Sequence, residues 1–344
     1  MTHKEELIKN ANLMVVKGKG ILAADESTPT CTKRFTSIGV DSSEAKRNEY
    51  RDMLLTTPNM EDYISGVIFY DETLRQSTVE DNTPFTMHLL DKGVLPGIKV
   101  DMGAKVLSGH EDEKITEGLD GLRERLDEYY KMGARFAKWR AVITIGDEIP
   151  TQACYEANAH ALARYASLCQ EAGIVPIVEP EVLMDGSHTI DQCFDVTVTA
   201  QKKVFKQLEI QNVMLEGIIL KPNMVVSGNK CTVQAGVEEV ANRTIECLKS
   251  TVPSSVPGIA FLSGGQSNED ATAHLNMMNA KYGDDLPWNL TYSYGRALQQ
   301  SALNTWLGKT ENVLAGQDAF FYRAKLNGLA SKGEYSQSME KVVV

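Results

Sequence analysis

One pattern limits what this chain can fold into. A short apolar run, bounded by turn residues and ending in polar or charged ones, recurs eight times along its 344 residues. The runs are Gly20–Glu26, Ser65–Glu72, Gly97–Met102, Phe136–Thr144, Ile174–Glu181, Gly217–Asn223, Gly258–Gly264 and Leu290–Arg296. Runs this short, without polar alternation, read as strands buried on both faces, as in a parallel sheet. Helical periodicity fills the gaps between them. Leu119, Leu122, Leu126, Tyr129 and Tyr130 fall on one helical face, with Gly133 as a stop. Val237, Val240, Ala241, Ile245 and Leu248 do the same, and Asn158 to Glu171 forms a third helix ahead of Gly173. Eight strands alternating with helices predict an α/β chain of the TIM (β/α)8 barrel type. A doubly wound open sheet is the rival, but it would carry a glycine-rich turn after its first strand, and GILAADES is not one.

No low-complexity linker or composition break divides the chain. A single barrel domain over 1–344 is therefore expected, with an extra N-terminal helix over Met1–Asn10 and a short mobile C-terminal tail over 333–344. The formal net charge of −11 argues against nucleic acid or anionic membrane as the main partner, though a basic pocket can sit inside an acidic shell. No stretch is long and apolar enough to span a bilayer, and the polar first ten residues resemble neither a secretory signal nor a transit peptide, so a cytoplasmic location is expected. The six cysteines, Cys31, Cys154, Cys169, Cys193, Cys231 and Cys247, are scattered without C-x-x-C, as in chains that keep free thiols. The six histidines are scattered too, and no spacing signals a zinc site.

The charges fall where the chemistry of such a barrel would sit. Active sites of (β/α)8 barrels lie at the C-terminal ends of the strands, and side chains two apart on a strand share a face. Lys99 and Asp101 form such a pair, as do Lys138 and Arg140, and Glu179 and Glu181; Asp25 closes the first run, Lys221 the sixth and Arg296 the eighth. One charged residue at a strand end is usually a solvated loop residue. Acids and bases converging on one mouth are a different matter, because buried charges are costly unless paired and cluster at functional sites. Lys221 follows Ile218, Ile219 and Leu220, so desolvation and neighbouring cations such as Lys138 are expected to lower its pKa and free an amine for imine chemistry. Ser263-Gly264-Gly265 follows the seventh run and Gly295-Arg296 ends the eighth, which is where this fold commonly binds phosphate. Ser27, Arg34 and Lys99 offer a second anion site.

LAADES (22–27), GIKVD (97–101), AKWR (137–140), PIVEPE (176–181), LKPN (220–223), FLSGGQS (261–267) and SYGRALQ (293–299) occur in this order, and the set resembles the class I fructose-bisphosphate aldolases along nearly the whole chain. The resemblance implies that Lys221 is the Schiff-base lysine, with Glu179 as general acid and base. It places Asp25 at C3–C4 cleavage, Lys138 as an assistant to the imine steps, Glu181 as an orderer of the charge network and Arg140 beside the substrate. Ser263, Gly264, Gly265, Ser293, Gly295 and Arg296 match the C1-phosphate site, and Ser27, Arg34 and Lys99 the C6-phosphate side. It further implies sugar-phosphate substrates, no metal or other cofactor, and a homotetramer. Met102, Thr30 and Pro29 depart from the pattern of the animal enzymes, and the C-terminus is shorter and lacks a terminal tyrosine. A zinc-dependent aldolase on the same fold would show histidines at the strand ends, and none of the eight runs carries one. A scaffold or adhesin with a secondary binding role is the alternative of another class; it would not need to keep Lys221, Glu179 and Lys138 together.

Overall fold

The computed structural model describes residues 3–342. The strands in chain order are β1 (Gly20–Ala24), β2 (Ile64–Phe69), β3 (Leu95–Lys99), β4 (Ala104–Leu107), β5 (His110–Thr116), β6 (Phe136–Ile143), β7 (Val175–Val182), β8 (Ile219–Leu220), β9 (Gly258–Phe261) and β10 (Asn289–Tyr294). Eight of them close a parallel barrel in the order β1-β10-β9-β8-β7-β6-β3-β2. Pairing of β1 with both β2 and β10 leaves no open edge, which rules out the doubly wound sheet. All eight apolar runs of the sequence lie on barrel strands. β4 and β5 form a separate antiparallel hairpin after β3, which the run pattern did not contain.

The barrel strands are buried almost throughout, as two-sided packing requires. The interior is packed by Ile21, Ala23, Ile68, Leu95, Phe136, Val175, Ile177, Ile219 and Ala260. Space for the Phe136 ring comes from Gly97, where an added Cβ would lie only 2.2 Å from that ring. The N-terminal helix, expected over Met1–Asn10, runs Lys4–Met14 and turns Leu7, Ala11 and Met14 into the same interior cluster, so it closes the barrel's lower end. A larger outer cluster fills the layer between strands and helices. The sixth run gives only a two-residue strand, because Pro222 offers no N–H to continue the ladder, yet Lys221 N–H still donates to Val178 O at 2.8 Å.

The described part of the chain after Gly333 has partners that its polar composition does not announce. Tyr335 is buried and its backbone N–H donates to Asn276; Gln337–Val342 form a 3-10 turn. The buried Arg323 guanidinium donates to both Glu340 carboxylate oxygens at 2.7 and 2.6 Å, and Tyr322 O–H donates to Met339 O. No described helix is long and apolar enough to cross a membrane.

Candidate active site

Register builds the site. Lys99 on β3 stands level with Lys138 on β6, Arg140 with Glu179 on β7, and Val142 with Glu181. Lysines and carboxylates at alternate positions of adjacent strands are thereby brought into one mouth at the barrel's C-terminal end. A cavity of about 450 Å³ occupies it. It is lined by Asp25, Ser27, Arg34, Lys99, Lys138, Arg140, Glu179, Glu181, Lys221, Ser263, Gly264, Gly265, Ser293, Gly295 and Arg296, all the residues singled out from the sequence. Six basic side chains line it, against six acidic ones once Glu26, Asp101 and Asp185 are added. In a chain of net charge −11, this balanced mouth does not repel an anionic substrate as the outer surface does.

Lys138 is the electrostatic centre. Its Nζ lies 2.8 Å from Asp25 Oδ2, 3.7 Å from Glu179 Oε2 and 3.9 Å from Asp101 Oδ2, and only 4% of the residue is exposed. Burial alone would pull the ammonium toward neutrality, but Asp25, Glu179 and Asp101 outweigh it and hold the pKa above that of an ordinary lysine. For Asp25, burial pushes the carboxyl up, and the fields of Lys138, Lys221 and Lys99 together with the Lys138 hydrogen bond push it down. The net effect is a carboxyl well below the usual range. At neutral pH the pair is thus ammonium and carboxylate. Lys221, likewise 4% exposed, has its Nζ 3.3 Å from the other Glu179 oxygen, Oε1. Glu179 therefore bridges the two buried lysines.

Around this core, Lys99 pairs with Asp101 at 2.8 Å and Arg140 Nε donates to Glu181. Three buried oxygens at the mouth, Glu179 Oε2, Asp101 Oδ2 and Ser293 Oγ, have no hydrogen-bond partner within the protein. Buried polar atoms are rarely left so, and these suit the hydroxyls of a polar ligand. After β9 the chain turns through Gly264 and Gly265 at φ of +52° and +89°, a conformation that strains any residue with a Cβ. Arg296 opens the helix Arg296–Trp306 directly behind Gly295. Beyond β1, Ser27 Oγ meets Thr30 Oγ1 at 3.2 Å, and Arg34 donates to Glu26 at 2.5 Å. Glu26 also accepts from buried Arg51 at 2.6 Å and from Gln299 at 2.9 Å, so it anchors Arg34. Met102 is 65% exposed and does not line the cavity.

Sequence reasoning did not give roles to Asp101, Glu26 or Gln266. Asp101 was within reach, since it shares a strand face with Lys99. Glu26 is held by Arg51 and Gln299, 25 and 273 residues away, and Gln266, although inside the FLSGGQS run, meets His274 and Arg296 only in the folded chain.

A parallel barrel whose C-terminal mouth holds a buried lysine–carboxylate cluster, beside a loop of bare backbone N–H groups, is an arrangement for carbonyl chemistry on anionic substrates. Comparison with known proteins narrows this. The family model for class-I fructose-bisphosphate aldolase matches residues 6–343. A probable fructose-bisphosphate aldolase class 1 of Xanthomonas campestris pv. campestris is 57% identical over 332 residues, covering 96% of this chain and 98% of the relative. A cytosolic fructose-bisphosphate aldolase of Arabidopsis thaliana is 52% identical over 97% of this chain and 92% of its own. Among solved structures, the fructose-bisphosphate aldolase of Plasmodium falciparum, crystallised with TRAP and a small-molecule inhibitor, superposes with a TM-score of 0.95. It is 48% identical, with 97% of this chain and 96% of that chain covered. The chain belongs to the class I fructose-bisphosphate aldolase family, and is an aldolase, a carbon–carbon lyase of glycolysis.

Proposed function

We propose that the enzyme cleaves fructose 1,6-bisphosphate reversibly to dihydroxyacetone phosphate and glyceraldehyde 3-phosphate through an imine on Lys221. The observation that carries the reading is the buried chain of contacts Lys221–Glu179–Lys138–Asp25. Lys221 Nζ adds to the C2 ketone of the open-chain sugar. Glu179, 3.3 Å from that nitrogen, moves the protons needed for the carbinolamine to form and lose water. The protonated imine is an electron sink. Asp25 takes the C4 hydroxyl proton, the C3–C4 bond breaks, its electron pair becomes the enamine, and the aldehyde leaves. Protonation of the enamine at C3 and hydrolysis release dihydroxyacetone phosphate and free Lys221. Lys138 keeps Asp25 ionised until the proton moves, and Glu181 holds Arg140 beside the sugar. The iminium polarises the carbon skeleton, so the reaction calls for no metal.

The C1 phosphate is assigned to Ser263, Gly264, Gly265, Ser293, Gly295 and Arg296, and the C6 phosphate to Ser27, Arg34 and Lys99. The support is backbone N–H groups at a glycine turn and guanidinium and ammonium groups lining the same cavity. Residues 1–344 act as one domain and assemble as a cytoplasmic homotetramer; the cytosolic plant relatives support the location, and the family resemblance the assembly. The scaffold or adhesin alternative is not favoured, because it leaves the buried lysine–carboxylate cluster without a use. Replacing Lys221 by Met tests the assignment. Cleavage should fall at least about a thousandfold while the fold, read by circular dichroism, persists. Retention of a tenth of the activity would remove Lys221 from the mechanism.

A further inference from the structure

We propose that Gln266 and His274 form a positioning relay that presets the C1-phosphate loop and Arg296 without touching the substrate. The proposal rests on the assignment of that phosphate site. Its starting point is a weakness in the loop. Gly264 and Gly265 both sit at positive φ, and a glycine turn has little stiffness of its own. Something must hold its carbonyls away from the anion and its N–H groups toward it.

Gln266, next in the chain and 7% exposed, does this with four polar groups. Its backbone N–H and its side-chain Nε2 both donate to Ser263 O, each at 3.0 Å, which closes the loop on itself. Its backbone carbonyl accepts from Arg296 Nη2. Its Oε1 lies 2.6 Å from His274 Nδ1. An amide oxygen can only accept, so His274 Nδ1 carries the proton and the imidazole is the neutral tautomer with a bare Nε2. Burial keeps it neutral, drawing its pKa down to about 4 against a weaker opposing pull from Asp270. The Ser263 carbonyl, which can only accept, decides which way the Gln266 amide faces, and the His274 N–H holds the other end of that amide in place. Were the amide to flip, its oxygen would meet Ser263 O, which cannot donate, and that bond would be lost, while the His274 bond would persist only in the other tautomer. His274 sits on the helix Asn268–Tyr282, whose N-cap Ser267 accepts from Asp270 N–H, so the donor is carried by a rigid element continuous with the loop.

The bland alternative is a core histidine satisfied by whichever neighbour is near. What separates the two is the identity of that neighbour. Gln266 is the residue that also anchors Arg296 and Ser263, so loss of the His274 bond loosens the anion site specifically.

The test compares ketones with and without the phosphate. In His274→Phe, which keeps the ring and removes the donor, the dihydroxyacetone phosphate concentration giving half-maximal inactivation by borohydride should rise about tenfold. The value for unphosphorylated dihydroxyacetone should stay within twofold, and KM for the bisphosphate should rise far more than kcat falls. His274→Asn, which retains a short donor, should recover most of the loss. Gln266→Met should reproduce the phosphate-selective defect, and it carries the test if His274→Phe does not fold. Equal weakening toward both ketones, or no change toward either, would overturn the relay. Arg296→Ala is run beside them. If it fails to weaken dihydroxyacetone phosphate selectively, the phosphate assignment itself is wrong. If it does so while His274→Phe and Gln266→Met do not, only the relay falls.

Discussion

Replacing Lys138 by Met removes one charge from the centre of the site while nearly keeping side-chain volume. At an effective dielectric of about 20, unit charges separated by the observed 2.8, 3.7 and 3.9 Å attract by roughly 4–6 kcal/mol each, much of it offset by the cost of burying the ammonium. Its removal leaves Lys99 beside Asp101 and Lys221 beside Glu179, whereas Asp25 loses the only ion-pair partner it has among the described residues. A buried carboxylate so abandoned costs about 3–5 kcal/mol, or takes up a proton. Holding a proton at pH 7 on a group with an ordinary pKa near 3.9 costs about 4 kcal/mol, at 1.36 kcal/mol per pH unit. In the wild type, Asp25 has a depressed folded pKa, so its contribution is complete above the unfolded pKa and is lost only in acid, leaving stability flat in this group from pH 5 to 8. In the variant, burial, the largest influence on Asp25, is opposed only by the fields of Lys221 and Lys99, so the folded pKa is expected above the unfolded one, the folded state then binds the extra proton, and stability should fall as pH rises. The gap between the two proteins should grow from about 1.5 kcal/mol at pH 5 to about 4 kcal/mol at pH 7. For 344 residues, with an unfolding entropy of roughly 0.7 kcal/mol/K, that is a Tm deficit of about 2 °C widening to about 6 °C. Activity should move the other way. With Asp25 partly protonated, the variant's kcat should be at least about a hundredfold lower and should climb with pH where the wild type is flat. Thermal melts and initial rates from pH 5 to 8 read both trends. A small, pH-independent Tm deficit would refute the charge account of Lys138.

Three further outcomes are expected. Exhaustive treatment with EDTA leaves cleavage activity intact, and activity lost and then restored by zinc would contradict the imine route. Deleting Ser336–Val344 keeps turnover within a few-fold, but it strips Glu340 from buried Arg323 and lowers stability by about 1–3 kcal/mol, discounted because Glu340 is part-exposed; a large fall in kcat with an unchanged Tm would put the tail in the site instead. Light scattering should read four chain masses, and a monomer or dimer at assay concentration would contradict the homotetramer.

The barrel was legible because its strands are buried on both faces and so appear as largely apolar runs, with charged groups within or at the ends of most of them. Lys138, Glu179 and Lys221 could be found that way without knowing which strands would be neighbours. The β4–β5 hairpin was not, because Ala104–Leu107 is mostly exposed and a polar hairpin has neither period. Long-range anchors were silent for a related reason. Arg51 reaches Glu26 across 25 residues, Gln299 reaches it across 273, and Arg323 reaches Glu340 across 17. Such pairs follow from tertiary placement and leave no local mark. The N-terminal helix showed its presence but not its task, since only the closed barrel reveals that Leu7, Ala11 and Met14 have an interior to enter.

The central claim is that Lys221 forms the covalent bond to substrate. Borohydride reduction in the presence of dihydroxyacetone phosphate, followed by digestion and mass mapping, tests it most directly. The account predicts one stoichiometric adduct on Lys221, formed in parallel with loss of activity, and none in Lys221→Met. An adduct on Lys138, whose amine Asp25 holds at 2.8 Å as an ammonium, would contradict it.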